Sequence, residues 1–281
     1  MLELSWAARS HPGRRRARNE DSVLARPVLF AVADGMGGHA AGDVASRSAV
    51  EALDLATRSG PVTRLAVLEA VRDVDARLRA LARQRGEGIG TTVCALVVTE
   101  APGGRRRLGL LNVGDSRAYR LRAGRLDLLT RDHSVVQELL DAGSITAADA
   151  LTHPERHVIT RSLGAEDHLD IDWWRLEPVA GDRYLLTTDG LTKEVTDDRI
   201  RELVDAEPDV ERVADALIDA ALTGGGRDNV SVIVIDLVRV DHRIGRADDD
   251  HDPLDVDTTP RAATRRVDAL DADTAPTGRR P

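Results

Sequence analysis

Apolar and polar positions alternate over residues 2–9, the period of a strand with one covered face. Residues 28–33 form a short unbroken apolar run, as a fully buried strand does. Helical spacing then takes over at 42–57 and 63–84, with Gly60-Pro61 as the break between them. "GEGIGTT" (86–92) reads as a loop entering a strand at 92–99, and "APGG" turns that strand into another at 106–113. A second hairpin spans 117–130 and turns at Ala123-Gly124. "HSVVQELLDAG" predicts a short helix, but the rest of 134–165 has no long period and reads as an irregular excursion. Strands return at 169–177 and 183–188, helices at 197–205 and 210–222, and a last strand at 229–240.

Strands that follow one another through hairpins favour antiparallel sheets with helices packed outside, not a doubly wound parallel sheet. From about residue 245 the pattern collapses into Asp, Arg, Thr, Pro and Ala. Residues 244–281 hold too few large apolar groups to offset chain ordering and are expected to form a disordered tail behind one domain over 1–243.

Composition narrows the picture. The 281 residues are 42% hydrophobic but only 2% aromatic, so the core must be built from Leu, Val, Ile and Ala. A net charge of −9 disfavours nucleic acid and anionic membrane as partners. Cys94 is the only cysteine, which excludes an internal disulfide, suits a reducing cytoplasm and reads as a small buried hydrophobe. No apolar stretch approaches the ~20 residues of a membrane span, and "MLELSWAARS" lacks the build of a signal peptide.

The chemistry concentrates in "LFAVADGMGGHAAGDVAS" (29–46). Gly35-x-Gly37-x-x-Ala40 has the spacing of a dinucleotide fingerprint, but Asp54, where a ribose-binding acid would be sought, sits in a helical pattern. The alternative is a metal. Asp34 follows one strand, Asp189 another and Asp115 a third, while Asp228 precedes the last strand and Asp21 a short apolar segment. In antiparallel sheets the end of one strand lies beside the start of its neighbour, so Asp34, Asp189 and Asp228 are candidates for one rim, which Asp21 could join. Grouped carboxylates repel unless cations neutralise them, and an all-oxygen set suits Mg²⁺ or Mn²⁺. Each aspartate taken singly also suits a turn or a helix cap.

"RARNED" (16–21), "ADGMGGHAAGDVAS" (33–46), "GTT" (90–92), "NVGDSRAY" (112–119), "LTRDHS" (129–134), "ITRSLG" (159–164), "LLTTDGLTKEVTD" (185–197) and "GGRDNVSVIVI" (225–235) together resemble the PP2C-type metal-dependent protein serine/threonine phosphatases, in their compact bacterial form. The resemblance implies an α+β fold, a four-layer αββα sandwich of two antiparallel sheets flanked by helix pairs, with 134–165 as a flap beside the active site. It implies hydrolysis of phosphoserine and phosphothreonine in proteins by a metal-bridging water at a two-metal centre holding Mn²⁺ or Mg²⁺. It assigns Asp34 as the bridging carboxylate with the Gly35 carbonyl as a further ligand, and Asp189 and Asp228 to the first ion. Glu20 approaches the second ion through water, Asp21 orients metal-bound water, and Arg16 grips the substrate phosphate. The implied partners are phosphorylated proteins, kinases among them, for a monomeric cytoplasmic signalling enzyme. A non-catalytic phosphoprotein scaffold and a phosphatase of small metabolites are the competing expectations.

Two positions depart from the family pattern. Some members carry a histidine after the first Asp-Gly as a candidate general acid; here that position is Met36, and His39 is the nearest substitute. Bacterial relatives commonly hold a third ion with the "GDS" aspartate and an aspartate four residues after the Asp189 counterpart. Asp115 is present, but the partner position is Lys193, the chain's one lysine, read either as pairing with Asp115 in the third ion's place or as an exposed lysine at a helix start; a weak or absent third ion is expected. Milder expectations concern His133 as a structural hydrogen-bonding group, His153 and His157 as flap residues meeting substrate, Arg161 as a flap positioner, and Trp173-Trp174 as strand packing with one exposed face.

Overall fold

The computed structural model describes residues 2–37, 41–58, 62–101, 105–165 and 168–240. Its first half runs β1 (Leu2–His11), β2 (Asp21–Arg26), β3 (Leu29–Gly37), α1 (Ala41–Arg58), α2 (Arg64–Arg85), β4 (Ile89–Thr91), β5 (Val93–Ala101) and β6 (Arg105–Val113). There follow β7 (Arg117–Arg122), β8 (Arg125–Leu128), α3 (Val135–Asp141), α4 (Ala147–Thr152), β9 (Asp172–Leu176) and β10 (Arg183–Thr187). The last elements are α5 (Asp189–Thr192), α6 (Asp197–Ala206), α7 (Val210–Gly224) and β11 (Val230–Val240).

Two sheets form, with strand orders β1-β11-β10-β7-β8 and β2-β3-β5-β6-β9, and β4 is added to β3. All named pairs are antiparallel. Alternation along β3 shows how the layers stack. Leu29, Ala31 and Ala33 face a core shared with α1 and α2, while Phe30 and Val32 face the core between the sheets. In the other sheet, Leu185 and Val232 face a core shared with α6 and α7, while Tyr184, Leu186 and Ile233 meet Phe30's side. Both strands are covered on both faces, which is why they read as unbroken apolar runs. The result is the four-layer αββα sandwich, α+β in class, with helix pairs outside two antiparallel sheets.

Capping fixes the outer helices: Thr63 accepts from the Ala66 N–H and Gly86 ends α2 at φ 67°, while Asp209 opens α7 by accepting from Glu211 and Arg212. Cys94 is buried between the sheets, where burial pushes its thiol pKa up.

Three local expectations change. Residues 89–91 are a strand, not part of a loop, because Thr91 exchanges backbone hydrogen bonds with Leu163 (3.1 and 2.9 Å) while pairing with Gly35. The stretch 134–165 contains α4, a six-residue helix too short to show a period but closed by a Thr146–Asp149 capping box. Trp173 and Trp174 have no exposed face: one joins the α1–α2 core and the other the intersheet core, and Gly109 makes room for the Trp173 ring. The tail 244–281, the "APGG" turn and the Gly60-Pro61 break lie outside the described residues, wholly or in part.

Candidate metal centre

Asp21 and Asp34 are register partners on β2 and β3, which sets their carboxylates side by side at one sheet end. The backbone of Asp34 is pinned on both polar atoms: its N–H donates to Thr92 Oγ1 (3.0 Å), and its carbonyl accepts from the Thr92 N–H and the Thr91 hydroxyl (2.9 Å each). Gly35 follows where β3, the Glu20 backbone and the start of α1 converge. A Cβ there would lie 2.1 Å from Gly42 O and 2.6 Å from Glu20 O, so only glycine fits.

The other sheet supplies Asp189, which opens α5 directly after β10, and Asp228, which stands before β11. These two strands are neighbours. Just past them, α5 packs so closely on the segment before β11 that a Cβ on Gly190 would meet Asn229 O at 1.8 Å. Asp115 enters from the end of β6. The two sheet ends are tied by Asp21, whose Oδ2 accepts from Ser231 (2.7 Å) and Thr188 (2.9 Å).

Packing carboxylates at one edge has an electrostatic consequence. Burial, opposed by the two hydroxyls and reinforced by Asp189 and Asp228, pushes the Asp21 pKa up to about 7. Burial and then the surrounding Asp21, Asp189, Asp115 and Asp228 hold Asp34 well above the usual carboxylate range. Burial and Asp189 do the same for Asp115, against the opposing pull of Lys193. Asp228 goes the other way: burial disfavours its charge, but Lys193, Arg16 and the Asn229 N–H outweigh it and lower the pKa.

Arg16 grips Asp228 through two nitrogens, at 2.9 and 3.0 Å. The Lys193 ammonium pairs with Asp189 Oδ2 and lies 3.2 Å from Asp228 Oδ2. Its ion pairs are therefore with Asp189 and Asp228, correcting the expected Asp115 pair; Asp115 adds only electrostatic attraction. The reason is connectivity: Lys193 lies one helical turn beyond Asp189, as an i,i+4 partner.

Among the described residues, no three His, Cys, Asp or Glu side chains already form a group able to hold a metal ion. The donor chemistry nevertheless fits a hard cation. Asp21, Asp115 and Asp189 each keep one buried Oδ1 with no hydrogen-bond partner. Orphaned buried carboxylate oxygens are costly, and a divalent ion satisfies them.

The Glu20 backbone N–H donates to Asn229 (2.8 Å), and its carboxyl lies over Gly42, on the Asp34 side of the site. Met36 pairs with Gly90 across β3 and β4, and His39 lies outside the described residues. His133 is buried, accepting the Gly114 N–H at 3.0 Å and meeting Asp172 at 3.1 Å, the structural role expected. Arg161 reaches the same Asp172 and His133 at 3.4 Å. His157 is close enough to Lys193, Asp189 and Asp228 to feel their charges, whereas His153 serves the flap turn by accepting the Glu155 N–H. Asp54 pairs with Arg26 and Arg58 inside α1's surroundings, as its helical pattern required of a non-ribose acid.

Sequence reasoning missed Asn229, whose amide donates to the carbonyls of Pro12 and Arg18 and accepts from Glu20, so it clasps the whole Arg16 loop. It also missed Glu194, which accepts from the Arg227 N–H and guanidinium and so braces the approach to Asp228. The only signal was proximity in sequence to Asp228 and Lys193.

Five aspartates thus stand at the two sheet ends of an αββα sandwich, with Arg16 and Lys193 on two of them. The chain belongs to the protein phosphatase 2C family, whose sequence pattern matches residues 11–223. It is 42% identical to the serine/threonine protein phosphatase PstP of Mycobacterium tuberculosis, over 96% of this chain and 52% of the relative, and so spans about half that protein's length. The serine/threonine phosphatase stp of Listeria monocytogenes is 34% identical over 81% of this chain and 94% of its own. Among solved structures, the catalytic domain of PstP in complex with two manganese ions superposes with a TM-score of 0.77 at 43% identity, covering 85% of this chain and all of that one.

Proposed function

We propose that the chain hydrolyses phosphoserine and phosphothreonine in proteins with two divalent ions, Mn²⁺ or Mg²⁺, and so reverses Ser/Thr kinase signalling. The observation that carries the proposal is the convergence of Asp21, Asp34, Asp115, Asp189 and Asp228 from both sheets, with three buried carboxylate oxygens left without partners. Asp34 would be the ligand common to both ions and the Gly35 carbonyl a further ligand; Asp189 and Asp228 would hold the first ion and Glu20 would approach the second, while Asp21, fixed by Ser231 and Thr188, would orient coordinated solvent. When bound, the two ions would lower the pKa of a water and so supply a nucleophile for phosphorus at neutral pH.

The chain's own part is binding and positioning. Arg16 presents a planar pair of donors, now engaged with a carboxylate and suited equally to phosphate oxygens. Asn229 holds the Arg16 loop, and the absence of a side chain at Gly35 lets the start of α1 and the Glu20 backbone pack directly against β3. Cys94, buried with a raised pKa, is unsuited to a covalent phosphoenzyme. The substrates are phosphoproteins, kinases among them, met by a monomer in the cytoplasm; among the described residues no helix is long and apolar enough to cross a membrane. D34N and D189N should each abolish Mn²⁺-dependent hydrolysis of a phosphothreonine peptide, and near-normal turnover in both would refute the assignment.

A further inference from the structure

Lys193 is the chain's only lysine and closes the one-turn helix α5 as its C-cap residue. Its backbone N–H donates to the Asp189 carbonyl at 2.9 Å, which anchors the stem beside the site. From there the ammonium contacts Asp189 Oδ2 and lies 3.2 Å from Asp228 Oδ2. One cation thus bridges two carboxylates that come from the ends of neighbouring strands β10 and β11. They are the same two carboxylates proposed above for the first ion. The other oxygen of Asp189 is buried and has no hydrogen-bond partner, so the ammonium satisfies that carboxylate on one side only.

The arrangement is that of an occupied cation position, not of a surface ion pair. The lysine is half-buried, and the Asp189 carboxyl it meets is nearly enclosed. Arg16 also holds Asp228, through both carboxylate oxygens, so the two basic residues together offset the charges of Asp189 and Asp228. A divalent ion coordinated by Asp189 and Asp228 cannot share that space with the ammonium: like charges at contact distance repel strongly where water is scarce.

We infer that Lys193 is a tethered cation filling the place of the first ion between Asp189 and Asp228, and that metal must displace it to load the centre. The inference rests on the two-ion reading above. Lys193 stays charged throughout, and displacement needs only rotation of its four-carbon stem. The consequence is a centre whose apparent metal affinity is reduced by the fraction of molecules in which the ammonium is in place. Lys193 therefore sets the metal concentration at which the protein becomes loaded, and it keeps the metal-free fold from facing an unpaired Asp189 carboxylate beside Asp228, which Arg16 already pairs.

The test uses the full chain, stripped of metal, titrated with Mn²⁺ by calorimetry and unfolded thermally with and without Mn²⁺. K193M keeps the length of the side chain and removes the charge; K193R keeps the charge. Expected are a first Mn²⁺ bound about tenfold tighter or more by K193M, a lower unfolding temperature for metal-free K193M, and a larger Mn²⁺-induced rise than in the wild type. K193R should stay near the wild type. A purely structural lysine would lower the metal-free and metal-loaded unfolding temperatures alike, and that result overturns the inference. Equal or weaker Mn²⁺ binding by K193M also overturns it and leaves the two-ion reading standing, as does tightening by K193R equal to that by K193M. Absence of Mn²⁺ binding in all three chains overturns both.

Discussion

Asp21 accepts a hydrogen bond from Ser231 at 2.7 Å across 210 residues of chain, and this contact ties the end of one sheet to the end of the other. With Thr188 as the second donor, it is how the sandwich brings the carboxylates of both sheets to one edge. S231A leaves Asp21 with a single donor in a buried setting. It should lower stability by about 1–3 kcal/mol, read by urea unfolding, and should weaken Mn²⁺ binding in the same preparation.

The raised pKa of Asp21 makes metal-free stability depend on pH. Folding favours the protonated form, so its stabilisation is fully present below the unfolded carboxylate pKa and is lost as pH climbs through about 7. Asp34 and Asp115, also raised, act in the same direction. In chelator, urea midpoints should fall between pH 5 and pH 8, and D21N should flatten that slope.

Metal binding has the opposite dependence. Ions need these carboxylates ionised, so protons must leave Asp21, Asp34 and Asp115 as metal enters. Mn²⁺ affinity should rise with pH towards and past 7, with proton release visible as a buffer-dependent calorimetric heat. Removing Mn²⁺ with chelator should lower the unfolding temperature most at the alkaline end.

Arg16 is expected to act through geometry as well as charge. R16A should lower kcat/KM for a phosphothreonine peptide by about 10²-fold. R16K should recover little of the loss, since a point charge does not reproduce the paired donors seen on Asp228. Equal activity of R16K and wild type would show that charge alone suffices.

Asn229 makes three hydrogen bonds to the segment carrying Arg16. N229A should cost about 2 kcal/mol and lower activity beyond what the stability loss explains, because the loop loses its clasp. G190A should be worse for folding: a Cβ 1.8 Å from Asn229 O forces α5 away from the backbone that leads into β11, at about 3 kcal/mol.

Much of this was legible in the chain itself. The unbroken run at 28–33 and the alternation at 2–9 mark β3 and β1, because burial of a strand leaves its period in neighbouring residues. The caps of α2 and α7 are equally local. β4 was not legible, since its partners are Gly35 and Leu163 and three residues carry no period. Nor were Ser231 and Thr188 as donors to Asp21, or Asn229 as a clasp, because hydroxyl and amide side chains are common in strands and turns and only a distant partner gives them a role.

The sequence by itself determined the longer strands and helices, the antiparallel class, and which aspartates stand at strand ends, because periodicity and turn chemistry act over a few residues; β2, β4, α4 and α5 were too short or too weakly patterned to be read. Only the tertiary structure decided that Lys193 reaches Asp189 and Asp228 instead of Asp115, that Arg16 lies on Asp228, and which carboxylate oxygens are buried without partners. Those outcomes depend on how closely two separate sheet ends approach. That distance is set by the sum of packing between layers, and no short stretch of chain encodes it.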